Sequence, residues 1–272
     1  MPELPEVETA RAAIERSGLG RRIVDVDDTD SYECRPHAPG QIRAALVGHE
    51  FTVAHRRGKS MWVETDGGPV LGLHLGMSGK IVAVEATPDG AAVADQGGDY
   101  WNNNRPVNLE ALRKWSRFSL TFSDGGRLHL LDPRRLGRAR LDPDVSGLGP
   151  DAFDVGRNEF RARVGRGRIP LKARLLDQET IAGVGNLLAD EALWRARLDP
   201  RRPAGDLTTE ELDGLRRAVR AAVRHAITHG GVHTGEIVPF RKAGEHCPRC
   251  GTEMRRATVG GRTTWWCPEE QR

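Results

Sequence analysis

The sequence predicts an α+β chain in two main parts: a β-rich first half and a helical second half ending in a cysteine-bearing segment. Three observations predict this. From about Ile23 to Leu141, short alternating or β-rich runs recur between Gly-Gly and Asp-Gly turns, the pattern of a sandwich or a barrel. Around "LDPDVSGLGPDAF" the strand signals stop and helical spacing begins, which places a boundary near Ser146 to Leu148. Three of the four cysteines, Cys247, Cys250 and Cys267, gather near the C-terminus, while Cys34 stands alone.

Taken in order, "ETARAAIERSGL" has helical spacing, with Ala10, Ala13 and Ile14 on one face and Gly18 as a stop. "RIVDVDD", "EFTVAHRR", "SMWVETD", "VLGLHLG", "KIVAVEA", "FSLTFSD" and "RLHLLD" read as strands. The stretch "EATPDGAAVADQGGDYWNNNRPVN" is small and polar and reads as a surface loop, with Asn102, Asn103 and Asn104 resembling an insertion. Beyond the boundary, "IPLKARLLDQETIAGVGNLLADEALWRARLDP" reads as a helix, a tight turn and a second helix. "LTTEELDGLRRAVRAAVRHAITHGG" is the clearest helix. Thr208 and Glu211 form a capping box, Leu212, Leu215, Val219, Ala222, Val223 and Ile227 form the apolar stripe, and Gly230 ends it.

Composition narrows the function. The 272 residues carry 41 Lys and Arg against 38 Asp and Glu, so net charge alone does not argue for nucleic acid. The basic residues are clustered, however. "HRRGK" (His55 to Lys59), "DPRRLGRAR" (Asp132 to Arg140) and "RARVGRGRIPLKAR" (Arg161 to Arg174) together favour a polyanionic partner. No apolar run approaches a membrane span, and no basic-then-apolar leader opens the chain, so a cytoplasmic protein without membrane partners is expected. Without export, the C-terminal cysteines point to a metal site rather than a disulfide framework.

The opening "MPELPEVETA" raises a chemical possibility. Methionine before proline is readily removed, which frees a secondary amine. A terminal amine has a pKa of about 8, against about 10.4 for lysine, so a usable fraction is nucleophilic near neutrality. Attack on the C1′ of a deoxyribose gives an iminium, an electron sink that can expel a base and make the 2′ proton acidic. The next residue, Glu3, is a carboxyl that can supply a proton. Alternatively, these acids only complement the dipole of a first helical turn.

"MPELPEVE" resembles the N-terminal signature of the formamidopyrimidine-DNA glycosylase and endonuclease VIII family. "RRGK" (Arg56 to Lys59), "HLGMSG" (His74 to Gly79), "DPRRLG" (Asp132 to Gly137), "GVGN" (Gly183 to Asn186) and "CPRC" with "GRTTWWC" follow in that family's order, over nearly the whole chain. The resemblance implies an N-terminal β-sandwich with flanking helices (1–147), a helix-two-turn-helix domain (148–235) and a β-hairpin zinc finger (236–272). Damaged double-stranded DNA lies between the domains in that family, and the chain is expected to act as a monomer.

The resemblance also implies roles. Pro2 matches the Schiff-base nucleophile, Glu3 the proton donor, Glu6 a supporting carboxylate and Lys59 the lysine assigned to β-elimination. Arg262 matches the finger arginine that grips phosphate and assists δ-elimination. Met77, Arg134 and Leu136 fall where side chains fill the gap left by an extruded nucleotide, an apolar wedge and an arginine being suited to that task. Lys172 and Asn186 match phosphate contacts, with the glycines of "AGVGN" letting backbone N–H groups approach a phosphate at a helix start.

Four departures stand against this. The fourth finger cysteine is replaced by Glu270, leaving Cys247, Cys250 and Cys267 with His246, Glu270 or water to complete one zinc per chain, or else a metal-free hairpin held by Trp265 and Trp266. Only fifteen residues separate Gly231 from Cys247, where glycosylases for oxidised guanine carry a longer loop. Trp115 stands where the family often has His, and Leu136 where its oxidised-purine enzymes usually have Phe. The expectation is a bifunctional glycosylase and AP lyase of base excision repair, acting by β,δ-elimination and preferring formamidopyrimidines and oxidised purines. Alternatives are an oxidised-pyrimidine enzyme, chiefly an AP lyase, or a catalytically inert DNA-damage-binding protein.

Overall fold

A computed structural model describes residues 2–88, 90–99 and 107–272. They form two compact units: Pro2 with Glu6–Val145, and Glu3–Pro5 with Ser146–Arg272.

Helix α1 (Leu4–Gly18) opens the chain, with Ala10, Ala13 and Ile14 buried as the spacing predicts and Val7 buried beside them. It starts at Leu4, earlier than its apolar stripe suggests, because Pro5 falls in the first turn, where no backbone N–H is required. There follow β1 (Ile23–Asp27), α2 (Gln41–Leu46), β2 (Phe51–Arg57), β3 (Ser60–Thr65), β4 (Leu71–His74), β5 (Lys80–Thr87), β6 (Gly90–Gly98), α3 (Leu109–Trp115), β7 (Ser116–Phe122), β8 (Arg127–Leu131) and β9 (Arg138–Leu141). They make two antiparallel sheets, β1-β7-β8-β5-β6 and β2-β3-β4-β9. Inward residues of both share one core, including Phe51, Met61, Val63, Leu73, Ile81, Phe118 and Leu130. Two separate sheets decide for a sandwich over a barrel.

The seven predicted strands are present, and two more were not anticipated. Strand β6 occupies much of the stretch read as a surface loop, pairing with β5 from Gly98 opposite Lys80 to Gly90 opposite Thr87. At its far end, buried Gly97 and Gly98 reflect close packing rather than loop character. A Cβ on Gly97 would lie 2.1 Å from the Thr9 carbonyl oxygen of α1, and the Gly98 N–H donates to Thr9 Oγ1 at 3.1 Å. Asn102, Asn103 and Asn104 lie outside the described residues. Strand β9, within the basic run after Asp132, has four residues, too few for a periodic signal.

The second unit contains α4 (Arg157–Val164), α5 (Leu171–Leu176), α6 (Asn186–Ala196), α7 (Thr209–His229) and a hairpin of β10 (Arg255–Val259) with β11 (Arg262–Trp266). Helix α7 has the predicted capping box, the buried stripe from Leu212 to Ala226, and Gly230 at φ 101° as its left-handed cap. In the basic run after α4 begins, Arg161 is held at 2.5 Å by Asp213, so part of this charge is neutralised internally.

The helix–strand contact gives a direct test. Gly97→Ala should destabilise the fold by about 1–3 kcal/mol, because backbone rather than a mobile side chain occupies the space. Urea unfolding checks this, and a variant as stable as the wild type contradicts the packing argument.

Candidate active site

One end of the β2-β3-β4-β9 sheet collects three of the sequence motifs. The β2–β3 hairpin turns on Gly58 and Lys59, with Arg57 opposite Ser60 and Gly58 at φ 61°. A glycine with positive φ at the first central position suits a two-residue turn, and it leaves Lys59 half-buried at the tip. Strand β3 pairs with β4 through Met61 and Leu73, and β4 pairs with β9 through His74 and Arg138. The loop 75–79 leaves β4 for β5, and the loop 132–137 leaves β8 for β9. Both therefore cross from one sheet to the other beside each other. Gly76 (φ 56°) has no room for a Cβ, which would lie 2.3 Å from the Leu136 carbonyl carbon.

Buried Asp132 organises both loops. It accepts from Ser78 Oγ at 2.5 Å and from the backbone N–H groups of Arg134 (3.0 Å), Leu136 (2.7 Å) and Gly137 (2.7 Å). The result is that Met77 and Leu136, each 38% exposed, stand out as large apolar groups, with exposed Arg134 in the same loop as Leu136. Burial alone would raise the Asp132 pKa, but these four donors hold it below its ordinary value. Glu33 lies behind the loop, its oxygens 3.2 Å from where a Cβ on Gly137 would be. Fully buried, Glu33 accepts no hydrogen bond among the described residues. Burial, then the nearby Asp132 charge, pushes its carboxyl up to about 8. The donors decide which of the two carboxyls keeps the negative charge.

Pro2 and Glu6, at the head of α1, are buried. Glu8, in the same helix, joins two arginines. Its carboxylate binds Arg11 at 2.8 Å and Arg56 at 2.8 Å, and Arg56 in turn donates to the Gly58 carbonyl at 3.2 Å. Burial opposes it, yet the two guanidiniums hold Glu8 below its ordinary pKa. Glu8 and Arg56 thereby couple α1 to the turn that bears Lys59.

In the second unit, the glycine turn before α6 does not face an open phosphate position. Glu3, 2% exposed, fills the start of that helix. Its oxygens accept from the N–H groups of Gly185 (2.9 Å), Leu187 (2.9 Å) and Leu188 (3.1 Å), as a carboxylate does at a helix N-terminus. Gly185 is required because a Cβ there would lie 2.2 Å from Glu3 Cδ. Asn186 is half-buried, and its Oδ1 accepts no hydrogen bond among the described residues.

Lys172 also departs from its expected phosphate contact. It is fully buried in α5, with its ammonium 2.6 Å from Asp190 of α6 and donating to Thr264 Oγ1 at 2.8 Å. Burial lowers its pKa against the pull of Asp190. Sequence spacing could not distinguish a buried lysine from a surface one in so basic a run.

The hairpin turns on Gly260 and Gly261, both at positive φ (60° and 72°), and Arg262 follows, exposed. The sulfurs of Cys247, Cys250 and Cys267 lie within 4.8 Å of one another and could bind a metal ion. Trp194 Nε1 donates to Cys247 Sγ at 3.5 Å and the Glu270 N–H to Cys267 Sγ at 3.4 Å, donors that suit thiolate ligands. Among the described residues, neither His246 nor Glu270 joins this group. The Glu270 carboxylate instead faces Arg197 at 3.5 Å and Arg249 at 4.0 Å. The short segment before Cys247 packs on α6, where the Ile237 N–H donates to Glu191 at 3.0 Å and Arg241 to Asp190 at 2.8 Å. No helix among the described residues is long and apolar enough to cross a membrane.

Comparison with known proteins agrees with this geometry. Residues 1–139 match the formamidopyrimidine-DNA glycosylase N-terminal domain, and residues 147–236 its H2TH domain. The formamidopyrimidine-DNA glycosylase of Chloroflexus aurantiacus is 34% identical over 98% of this chain and 96% of its own. That of Roseiflexus sp. is 35% identical with both chains fully covered. The complex of Lactococcus lactis Fpg with abasic-site DNA has a TM-score of 0.77 at 27% identity over 99% of each chain. MutM in complex with carbocyclic 8-oxo-G DNA has a TM-score of 0.79 at 28% identity over both whole chains. The chain belongs to the formamidopyrimidine-DNA glycosylase family.

Glu33 yields a pH test. Below about pH 4.5 the carboxyl is neutral folded or unfolded; above it the unfolded chain ionises while the folded one holds its proton up to about pH 8. Its contribution to stability is therefore complete at low pH and is lost as pH rises through this window. Glu33→Gln should match the wild-type melting temperature near pH 4.5 and exceed it by several degrees at pH 8. Parallel melting curves would contradict the assignment.

Proposed function

We propose that this protein is a bifunctional DNA glycosylase and AP lyase of base excision repair, acting on damaged double-stranded DNA as a cytoplasmic monomer. The observation that carries the reading is the N-terminal segment. Pro2, Glu3 and Glu6 are all buried at the head of a family-typical chain, with Glu3 held by three backbone donors. The organisation proposed is a catalytic sandwich (1–147), a helix-two-turn-helix domain (148–235) and a finger (236–272).

In this reading the damaged nucleotide is extruded from the stack. Met77 and Leu136 take up the vacated apolar space, and Arg134 hydrogen-bonds the orphaned base. The Pro2 nitrogen attacks C1′ and the bond to the base breaks, the departing base taking a proton. The amine then loses its proton as the C1′–O4′ bond opens and the ring oxygen is protonated. Glu3 is the residue that delivers a proton to the base or to that oxygen. Glu6 supports the charge that develops at the amine. The resulting iminium makes the 2′ proton removable, and Lys59 is the residue assigned to that β-elimination, which expels the 3′ phosphate. Arg262 holds phosphate for the δ-elimination that follows, and water releases the sugar remnant from Pro2. Asn186 contributes a phosphate contact. Cys247, Cys250 and Cys267 hold one zinc ion with a structural role in the finger.

The preferred lesions are formamidopyrimidines and oxidised purines, in keeping with the family. A second reading, an oxidised-pyrimidine glycosylase or mainly an AP lyase, is favoured by Leu136 and by the short packed segment before Cys247. A panel of single-lesion duplexes separates them: cleavage of abasic sites alone leaves only a lyase.

Borohydride should trap the untagged protein on abasic-site DNA, and Pro2→Gly or an N-terminal tag should abolish the adduct. Equal trapping by Pro2→Gly would remove Pro2 from its role and favour an inert damage-binding protein or a different nucleophile. Elemental analysis should find close to one zinc per chain; a trace only would reject the metal.

A further inference from the structure

Asp190 has no role in the reaction above, yet it is a buried charge held by several partners. It is 1% exposed on α6. Its Oδ1 lies 2.6 Å from Lys172 Nζ. Its Oδ2 accepts from Arg241 Nε at 2.8 Å and from the Trp265 N–H at 3.3 Å. Lys172 donates in turn to Thr264 Oγ1 at 2.8 Å and to the Thr263 carbonyl at 3.3 Å. Thr264, also fully buried, donates its hydroxyl to the Arg262 carbonyl at 3.0 Å. One buried carboxylate thus reaches four consecutive residues of β11, Arg262 to Trp265, through a lysine and its own Oδ2. Such a cluster resists rearrangement, since removing one partner leaves an uncompensated buried charge.

An independent feature concerns the metal end of the same hairpin. The cysteine cluster supplies three ligands, and the residue at the fourth spacing, Glu270, faces arginines. In its place, Gln271 Oε1 accepts from the Cys267 N–H at 2.9 Å and its Nε2 donates to the Leu198 carbonyl at 3.0 Å. Bonds that need no metal thus hold β11 to α5 and α6, and hold the chain just after it to Leu198.

We infer that Asp190, acting through Lys172 and Thr264, is the positioning residue that holds the Arg262 hairpin in place, so that its geometry does not depend on a complete metal site. The inference rests on the proposed reading of Arg262 as a phosphate contact.

The test uses the untagged full chain, a duplex containing a tetrahydrofuran abasic analogue, and amide exchange across residues 255–266. Asp190→Asn keeps the shape but removes the charge. Thr264→Val cuts the relay to Arg262 and spares the ion pair, so it decides the matter if Asp190→Asn does not fold. Either substitution should speed hairpin exchange and weaken duplex binding by about tenfold or more, a loss of about 1.4 kcal/mol. Adding Asp190→Asn to Arg262→Ala should weaken binding no further. Stripping metal from the wild type, verified by elemental analysis, should leave hairpin exchange within about threefold, under 1 kcal/mol. The inference is overturned if the folded variants exchange like the wild type, if metal removal alone frees the hairpin as fully, or if the double variant loses the full Asp190→Asn factor again. If Asp190→Asn frees the hairpin while Arg262→Ala binds normally, the positioning role stands and the phosphate role of Arg262 falls.

Discussion

The first residues of a chain fray unless they are tied down. Here the tie is the Glu3 carboxylate. Three N–H groups at the start of α6 converge on it, and the Leu4 N–H adds a fourth bond by donating to the Gly183 carbonyl at 3.1 Å. Much of the local structure answers to this constraint. Gly185 lacks a side chain because Glu3 occupies its space, and Gly183 takes a φ of 110°. Residues 3–5 belong to the second unit while Pro2 and the chain from Glu6 belong to the first.

The same economy of anchors recurs in the first unit. Two loops with no regular structure present Met77, Arg134 and Leu136, and exposed apolar side chains in loops would ordinarily be mobile. Asp132 removes that freedom by engaging one loop through Ser78 and the other through the amides of Arg134, Leu136 and Gly137. The neighbouring Glu33 shows what the arrangement requires: two carboxyls this close in a dry interior cannot both be charged. Glu8 and Arg56 act comparably on the Lys59 turn.

Part of the charge in this protein is therefore internal scaffolding rather than surface. The basic run from Arg161 to Arg174 reads as a polyanion-binding stripe, yet Arg161 is paired with Asp213 and Lys172 is sealed against Asp190. An isolated ammonium could not remain in such a core; it is tolerated because carboxylate and hydroxyl partners replace its water.

The sequence by itself determined much of this protein. Strand alternation, the boundary after the strands, the capping box of α7 and the spacing of Cys247, Cys250 and Cys267 are local patterns, and local patterns are legible without coordinates. The motif order brought Pro2, Glu3, Glu6, Lys59 and Arg262 to notice. Tertiary structure alone decided that 90–98 is a strand, since its glycines answer to α1 and not to their neighbours in the chain. It alone decided that the α6 terminus receives Glu3, that Lys172 is buried against Asp190, and that Glu270 turns to Arg197 and Arg249. Each of these depends on a partner distant in sequence. Burial and pairing are set by what the folded chain brings alongside a residue, which no local pattern records.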